Sequence, residues 1–379
     1  MPILAFAFLL FATSIIRCSS GDPVGPLPDP GDSPATLTTE TLVTGLDTPW
    51  DLAWGPDDMI WVTERRGVVS RVNPTTGQIT EVGALPVFEQ SESGLMGMAF
   101  HPDFATSSPF VYFAYSYQPT GTIRNRLVRM LWNGASLSGE EILVDDIPGA
   151  SNHDGSRLAV GSDRLLYMSM GDATDQSLAQ DTNTLAGKVL RMNLDGSAAS
   201  GNPFGSRIYS YGHRNPQGLV FHPVTGDLFV TEHGPSTDDE VNRIEAGGNF
   251  GWPNVHGFCD GNISGESAFC STTDTVEPLA VWTPTVAPAG ADFYDSDAIP
   301  GWRGSLLFTT LRGRALYRLV LSADGRTAID QERLFLDRFG RLRDVLVGPN
   351  GEFYLATSNR DGRGSPSADD DRIVKVTGE

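Results

Sequence analysis

Six times along the chain a short apolar run meets a turn of Gly, Pro, Asp or His and a second apolar run follows, a hairpin pattern that few folds can absorb. Leu52-Ala53-Trp54 leads through Gly55-Pro56-Asp57-Asp58 to Met59-Ile60-Trp61-Val62, and Val345-Leu346-Val347 leads through Gly348-Pro349-Asn350-Gly351 to Phe353-Tyr354-Leu355. Between them the pattern starts again at residues 98, 158, 219 and, more loosely, 291. The spacing is irregular and somewhat longer than the roughly 40–50 residues of familiar propeller repeats, as expected where the loops of one rim vary. With abundant Gly and Pro and no long amphipathic helix, these units predict an all-β chain, a six-bladed β-propeller of four-stranded antiparallel sheets. A β-sandwich is the structural alternative, but it would not need six equivalent hairpins. Residues 35–379 are therefore expected to form one domain, with Arg372-Ile373-Val374-Lys375-Val376 completing the first blade so that no edge stays open.

The charge balance narrows the partners. Lys and Arg number 27 against 47 Asp and Glu, a net charge of −20, which argues against nucleic acid and against an anionic membrane surface. Pro2 to Ile16 is an apolar run too short for a comfortable membrane span, followed by Ser19, Ser20 and Gly21. Residues 1–20 thus read as an export signal, although no Lys or Arg precedes the run, and no transmembrane domain is expected. Ile15-Ile16-Arg17-Cys18 has the outline of a bacterial lipoprotein cleavage site, with Arg17 out of pattern, so a lipid anchor at Cys18 stays open beside a free periplasmic or secreted protein. Residues 21–34, rich in Pro, Gly and Asp, are expected to be a flexible tether. In an oxidising compartment Cys259 and Cys270, which bracket a short loop, are expected to form a disulfide; two separate thiols are the alternative.

Strand direction decides which polar residues can meet. Residues just before the first strand of each hairpin and just after the second share a rim, which gathers Glu92, His153, Arg214, Gly234, Pro235, Arg312 and Arg341 although they are far apart in the chain. Arg214, Arg312, Arg341 and Arg343 concentrate positive charge in an acidic protein and suit a multiply carboxylated ligand, because guanidinium meets carboxylate in bidentate geometry. His153 offers a base near neutral pH. Gly234-Pro235 offers two carbonyls from a segment with few amide hydrogens, followed by Asp238, Asp239 and Glu240, a donor set for a hard cation such as calcium.

The segments Gly212 to Gly218, Gly234 to Glu240 and Gly247-Gly248-Asn249-Phe250-Gly251-Trp252-Pro253-Asn254 resemble the soluble PQQ-dependent glucose dehydrogenase family, also called the glucose/sorbosone or aldose sugar dehydrogenases. The resemblance runs from about Thr41 to Val376. It implies a propeller that oxidises aldose sugars at the anomeric carbon to lactones, using PQQ and calcium and an external electron acceptor, as a monomer or homodimer. By position it makes His153 the general base and puts Arg214 and Asn215 at the quinone. It makes the Gly234 and Pro235 carbonyls calcium ligands, and gives Arg341 and Arg343, with Arg312 in place of a Lys, to the cofactor. Asp239, Glu240, the Phe250 carbonyl and Asp260 fall where a second calcium site is expected, acidic loop turns being the plain alternative. Glu92 stands in place of a Gln near the sugar, Asn152 in place of an acid beside the base, and Ala173 near another expected Gln. No Gly-rich turn joins a strand to a helix, so a nicotinamide enzyme is not indicated. A calcium-dependent propeller lactonase and a non-catalytic binding propeller are the competing functions, since fold alone separates none of them.

Overall fold

The structure, a computed structural model, describes residues 35–378 together with Leu27 and Gly31; the expected signal segment and Cys18 lie outside the described residues. Six four-stranded antiparallel sheets form the blades of a propeller. Their innermost strands are Pro49–Trp54, Leu95–Phe100, Gly155–Val160, Pro216–Phe221, Pro288–Tyr294 and Leu342–Val347, in blades 1 to 6. Each heads one of the hairpins read from the sequence. The second strands Ile60–Glu64, Leu166–Met170, Leu228–Glu232 and Phe353–Thr357 are buried at every residue, which is why each opens on an apolar run and not on alternation.

Aromatic rings fill the seams between blades. Trp61 meets Phe100 and Trp132 edge-on at 5.4 and 5.0 Å between blades 1 and 2, and Trp302 lies 5.9 Å from Phe353 between blades 5 and 6. Ring closure differs from the sequence expectation. Ile373–Gly378 does not complete the first blade; it is the third strand of blade 6, and Leu37–Val43 from the N-terminus pairs against it as the fourth. Leu37 pairs with Gly378 and Thr41 with Val374, so the two ends of the domain close one sheet. The segment expected as a tether is also engaged at its two described positions: Leu27 packs on the core between blades 4 and 5, and the Gly31 carbonyl accepts from the Arg333 amide at 3.0 Å.

Two regularities of the inner strands shape the channel. In every blade the register with the second strand shifts near the first residues of the inner strand, a bulge that re-aims side chains at one rim. The third inner-strand residue is in turn Asp51, Gly97, Arg157, Gly218, Gly290 and Asp344. Arg157 crosses from blade 3 and donates through Nη1 to Asp51 of blade 1 and, at 3.1 Å, to Asp344 of blade 6. Glycine at 290 leaves the room, since a Cβ there would sit 1.5 Å from Asp344 Oδ1 and 3.0 Å from Arg157 Nη2. The guanidinium also stacks 4.3 Å from the Trp50 ring, so one buried cation ties blades 1, 3 and 6 together.

Candidate active site

At the bulged rim the loops carry the chemistry. His153 donates its amide to Glu92 Oε2 at 3.1 Å, and its Nδ1 lies 2.8 Å from Oδ1 of Asp172, a buried carboxylate. Asp172 is itself fixed by the Trp252 indole N–H at 2.9 Å and the Thr174 amide at 2.8 Å. With Nδ1 committed, Nε2 of His153 is the ring atom left to take a proton. Asp172 was not among the residues read from the sequence, yet the rim rule that found Arg312 would have found it, for it follows the second strand of blade 3.

A polar chain runs round the mouth from this pair. Glu92 Oε2 also accepts from Asn215 Nδ2 at 3.3 Å; Asn215 Oδ1 accepts from Gln217 Nε2 at 3.0 Å; Gln217 Oε1 accepts from Arg343 Nη1 at 2.9 Å. Arg363, in the loop after the second strand of blade 6, then reaches back across the mouth. It donates to Glu92 Oε1 at 2.7 Å, Asn152 Oδ1 at 2.8 Å and Ser91 Oγ at 3.2 Å. Nothing in the sequence reading pointed to Arg363, and Gln217 entered it only as part of the Gly212 to Gly218 segment, because their roles depend on reach across blades and not on position along one.

The arginines differ in what they have left to give. Arg341 is spent on Asp361, 2.8 Å from its Nε, and on the Leu311 carbonyl at 3.2 Å. Arg312 is exposed and donates to Thr285 Oγ1 at 2.6 Å. Arg214 sits 5.3 Å from the Trp252 ring, with Nη1 on the His233 carbonyl at 3.1 Å, and burial lowers its pKa. Arg343 is buried, and desolvation brings its pKa down to about 10. Among the described residues Arg214 Nε, Arg343 Nε and His233 Nε2 are all covered and have no hydrogen-bond partner. Burial also lowers the His233 pKa, to about 3, so its ring is neutral at neutral pH.

Beside Arg214 a narrow chamber is lined by Glu232, Gly234, Pro235, Asp238, Glu240 and Phe250. His213 pins Glu232 through Nδ1 at 2.8 Å, and the Arg214 amide donates to the same carboxylate, which ties the first motif to the second. Neither the Gly234 nor the Pro235 carbonyl accepts a hydrogen bond among the described residues. Of the residues expected at a second calcium, Glu240 and Phe250 face this chamber, and burial and the nearby Glu232 push the Glu240 pKa up. Asp239 is turned elsewhere: its Oδ1 accepts from the Gly234 amide at 2.8 Å and its Oδ2 from Val286 and Ala287 at 2.5 and 2.6 Å. Asp260 bonds Asn262 in an exposed loop turn. Among the described residues no three His, Cys, Asp or Glu side chains converge as a metal cluster. Cys259 and Cys270 form the expected disulfide, with Cα atoms 6.3 Å apart.

Fold and rim together define a propeller whose site is built by loops from several blades at one mouth of the channel. Comparison with known proteins gives the family: the model for Glucose / Sorbosone dehydrogenase matches residues 46–365, and the chain belongs to that family. It is 31% identical over 425 residues to quinoprotein glucose dehydrogenase B of Acinetobacter calcoaceticus, covering 89% of this chain and 88% of the relative. It is 31% identical over 349 residues to aldose sugar dehydrogenase YliI of Escherichia coli, covering 87% and 92%. The solved PQQ-bound aldose sugar dehydrogenase of Streptomyces coelicolor superposes with a TM-score of 0.79 at 37% identity, over 91% of this chain and 99% of that one.

Proposed function

We propose that this protein oxidises aldose sugars at the anomeric carbon to lactones, with PQQ and calcium, and passes the electrons to an external acceptor. The observation that carries the reading is the set of covered, unpartnered nitrogens on Arg214, His233 and Arg343. A buried polar group left without a partner costs about 1–3 kcal/mol, so the mouth is built for a ligand rich in acceptors. The multiply carboxylated PQQ fits that demand, and Arg214, Asn215, Arg343, Arg341 and Arg312 would hold it. Calcium fits the free Gly234 and Pro235 carbonyls in the acidic chamber. When bound, the quinone supplies a two-electron redox step that no side chain has, and the cation polarises oxygen.

The rest falls to the chain's own residues. His153 takes the proton of the anomeric hydroxyl at Nε2. Asp172 holds the ring and offsets the charge the imidazolium gains, and Trp252 and Thr174 keep that carboxylate from turning away. Arg214 balances negative charge that grows opposite it. Glu92 and Asn152 present oxygens on the sugar side of the base. The disulfide accords with an exported protein, periplasmic or secreted. Apoprotein supplied with PQQ and calcium should reduce an artificial acceptor with one or more aldoses of a panel, and a chelator should abolish the rate. Full turnover by exhaustively dialysed protein with no quinone absorbance would overturn the proposal.

A further inference from the structure

Glu92 is a carboxylate placed against the proposed base, and the chain supplies its own cation to it. Its Oε2 meets the His153 amide and the Asn215 side chain, both inside the site, while Oε1 meets Arg363 at 2.7 Å. Arg214, Arg343 and His233 also face Glu92, but Arg363 is the one cation hydrogen-bonded to it among the described residues. Burial alone would push the Glu92 carboxyl up; its charged neighbours and the His153 amide outweigh that and hold it well below the carboxylate range.

The guanidinium is placed by its own loop. The Arg363 amide donates to Asp361 Oδ1 at 2.9 Å, Asp361 pairs with Arg341 at 2.7 Å, and the Asn359 amide donates to Asp371 at 2.6 Å. These ties do not use the Arg363 side chain, so removing that side chain leaves the loop anchored. Half of the side chain is exposed, and it lies on the solvent side of Glu92, whose own side chain is 15% exposed. A cation arriving from solvent would therefore meet Arg363 where it would need a free carboxylate.

We propose that Arg363 is a specificity-determining residue: by occupying Glu92 it makes the wall beside His153 electrically neutral, so that the site takes uncharged aldoses and rejects aldoses bearing an ammonium group. This rests on the aldose reading above and names the substrate charge within it. Glu92 stays available to accept a sugar hydroxyl, and its charge is withheld from a competing amine.

The test compares glucose with glucosamine at about pH 6, below the usual range of an amine, in wild type, Arg363→Met, Glu92→Gln and the double variant. With PQQ and calcium saturating, Arg363→Met should raise the glucosamine-to-glucose ratio of kcat/KM by about tenfold or more, because a partly buried carboxylate is left seeking a cation. Adding Glu92→Gln should return the ratio to near the wild-type value, and high salt should shrink the Arg363→Met effect. Calorimetric titration of the same proteins without PQQ, using glucose and glucosamine as probes, should show the same ordering of affinities. An unchanged ratio in Arg363→Met, in rate or in binding, overturns the assignment. If no protein of the set oxidises any aldose, the proposed activity falls while the titrations still decide the role of Arg363.

Discussion

His153 holds a left-handed backbone, φ +62°, which costs a non-glycine residue on the order of 1–3 kcal/mol unless its surroundings impose it. Both of its backbone groups are claimed: the amide by Glu92 and the carbonyl by the Ala173 amide at 3.1 Å. The strain therefore sits where it aims an imidazole between Asp172 and the channel. His153→Gln should lower kcat by roughly 10²–10⁴ or more with little change in PQQ affinity, read from PQQ titration followed by rates at saturation. Asp172→Asn should also lower kcat, because an amide that donates to Nδ1 forces the proton onto Nε2, the atom that must accept one. If Asp172→Asn keeps wild-type kcat while the Trp252 contact is preserved, the carboxylate is only a support for the loop.

The loops are the elements that make the rim, and two of them are held by a buried or half-buried acid. Asp361 braces the loop after the second strand of blade 6. Burial opposes its ionisation, but Arg341 and Arg343 outweigh that and place its folded pKa below the ordinary value. The native state then binds fewer protons than the unfolded chain in that interval, so the stability the pair gives is present above about pH 4 and is lost as pH falls through the folded value. Asp361→Asn should flatten the acid limb of unfolding free energy against pH, measured by denaturant titration; an unaltered limb would mean the pair adds nothing. The loop from Trp252 to Ala280 is held twice, by the disulfide and by buried Glu266, which accepts from the His256, Gly261 and Asn262 amides at 3.1, 2.7 and 3.1 Å. For so short a ring the chain-entropy model gives on the order of 3 kcal/mol. Reduction should raise amide exchange across residues 257–272, with the proposed sugar oxidation retained because Trp252, which holds Asp172, lies before the ring closed at Cys259. Loss of turnover on reduction would instead mean that the disulfide is needed to hold Trp252 against Asp172.

The strands were legible in the sequence because each is a local apolar run, and rim membership followed from strand direction alone, which is how His153, Arg214 and Gly234 were reached together. What the sequence hid was reach: Arg363 to Glu92, Gln217 to Arg343, and Asp239 turning to the Val286 and Ala287 amides instead of joining Glu240 in the chamber. Such contacts depend on rotamers and on loop heights above the rim, for which no period in the chain gives a sign.

Across the whole molecule the blades are held at the axis by Arg157 and at the circumference by the shared sheet of the two ends. Arg157→Met would leave Asp51 and Asp344 buried without their cation, and such one-sided removal costs about 3–5 kcal/mol, so a large drop in Tm is expected. A Tm within a degree or two of wild type would mean that the two acids share a proton or take up water instead. The shared sheet has a consequence in time. Leu37–Val43 leaves the ribosome long before Ile373–Gly378, its one strand neighbour among the described residues, has been made. Until then it is a strand without a ladder, and joining it closes a loop almost as long as the domain. A circular permutant that begins near Leu46 and carries residues 37–43 after Gly378 would place the two strands side by side in synthesis order. It should refold faster than the natural chain from denaturant while reaching the same native state.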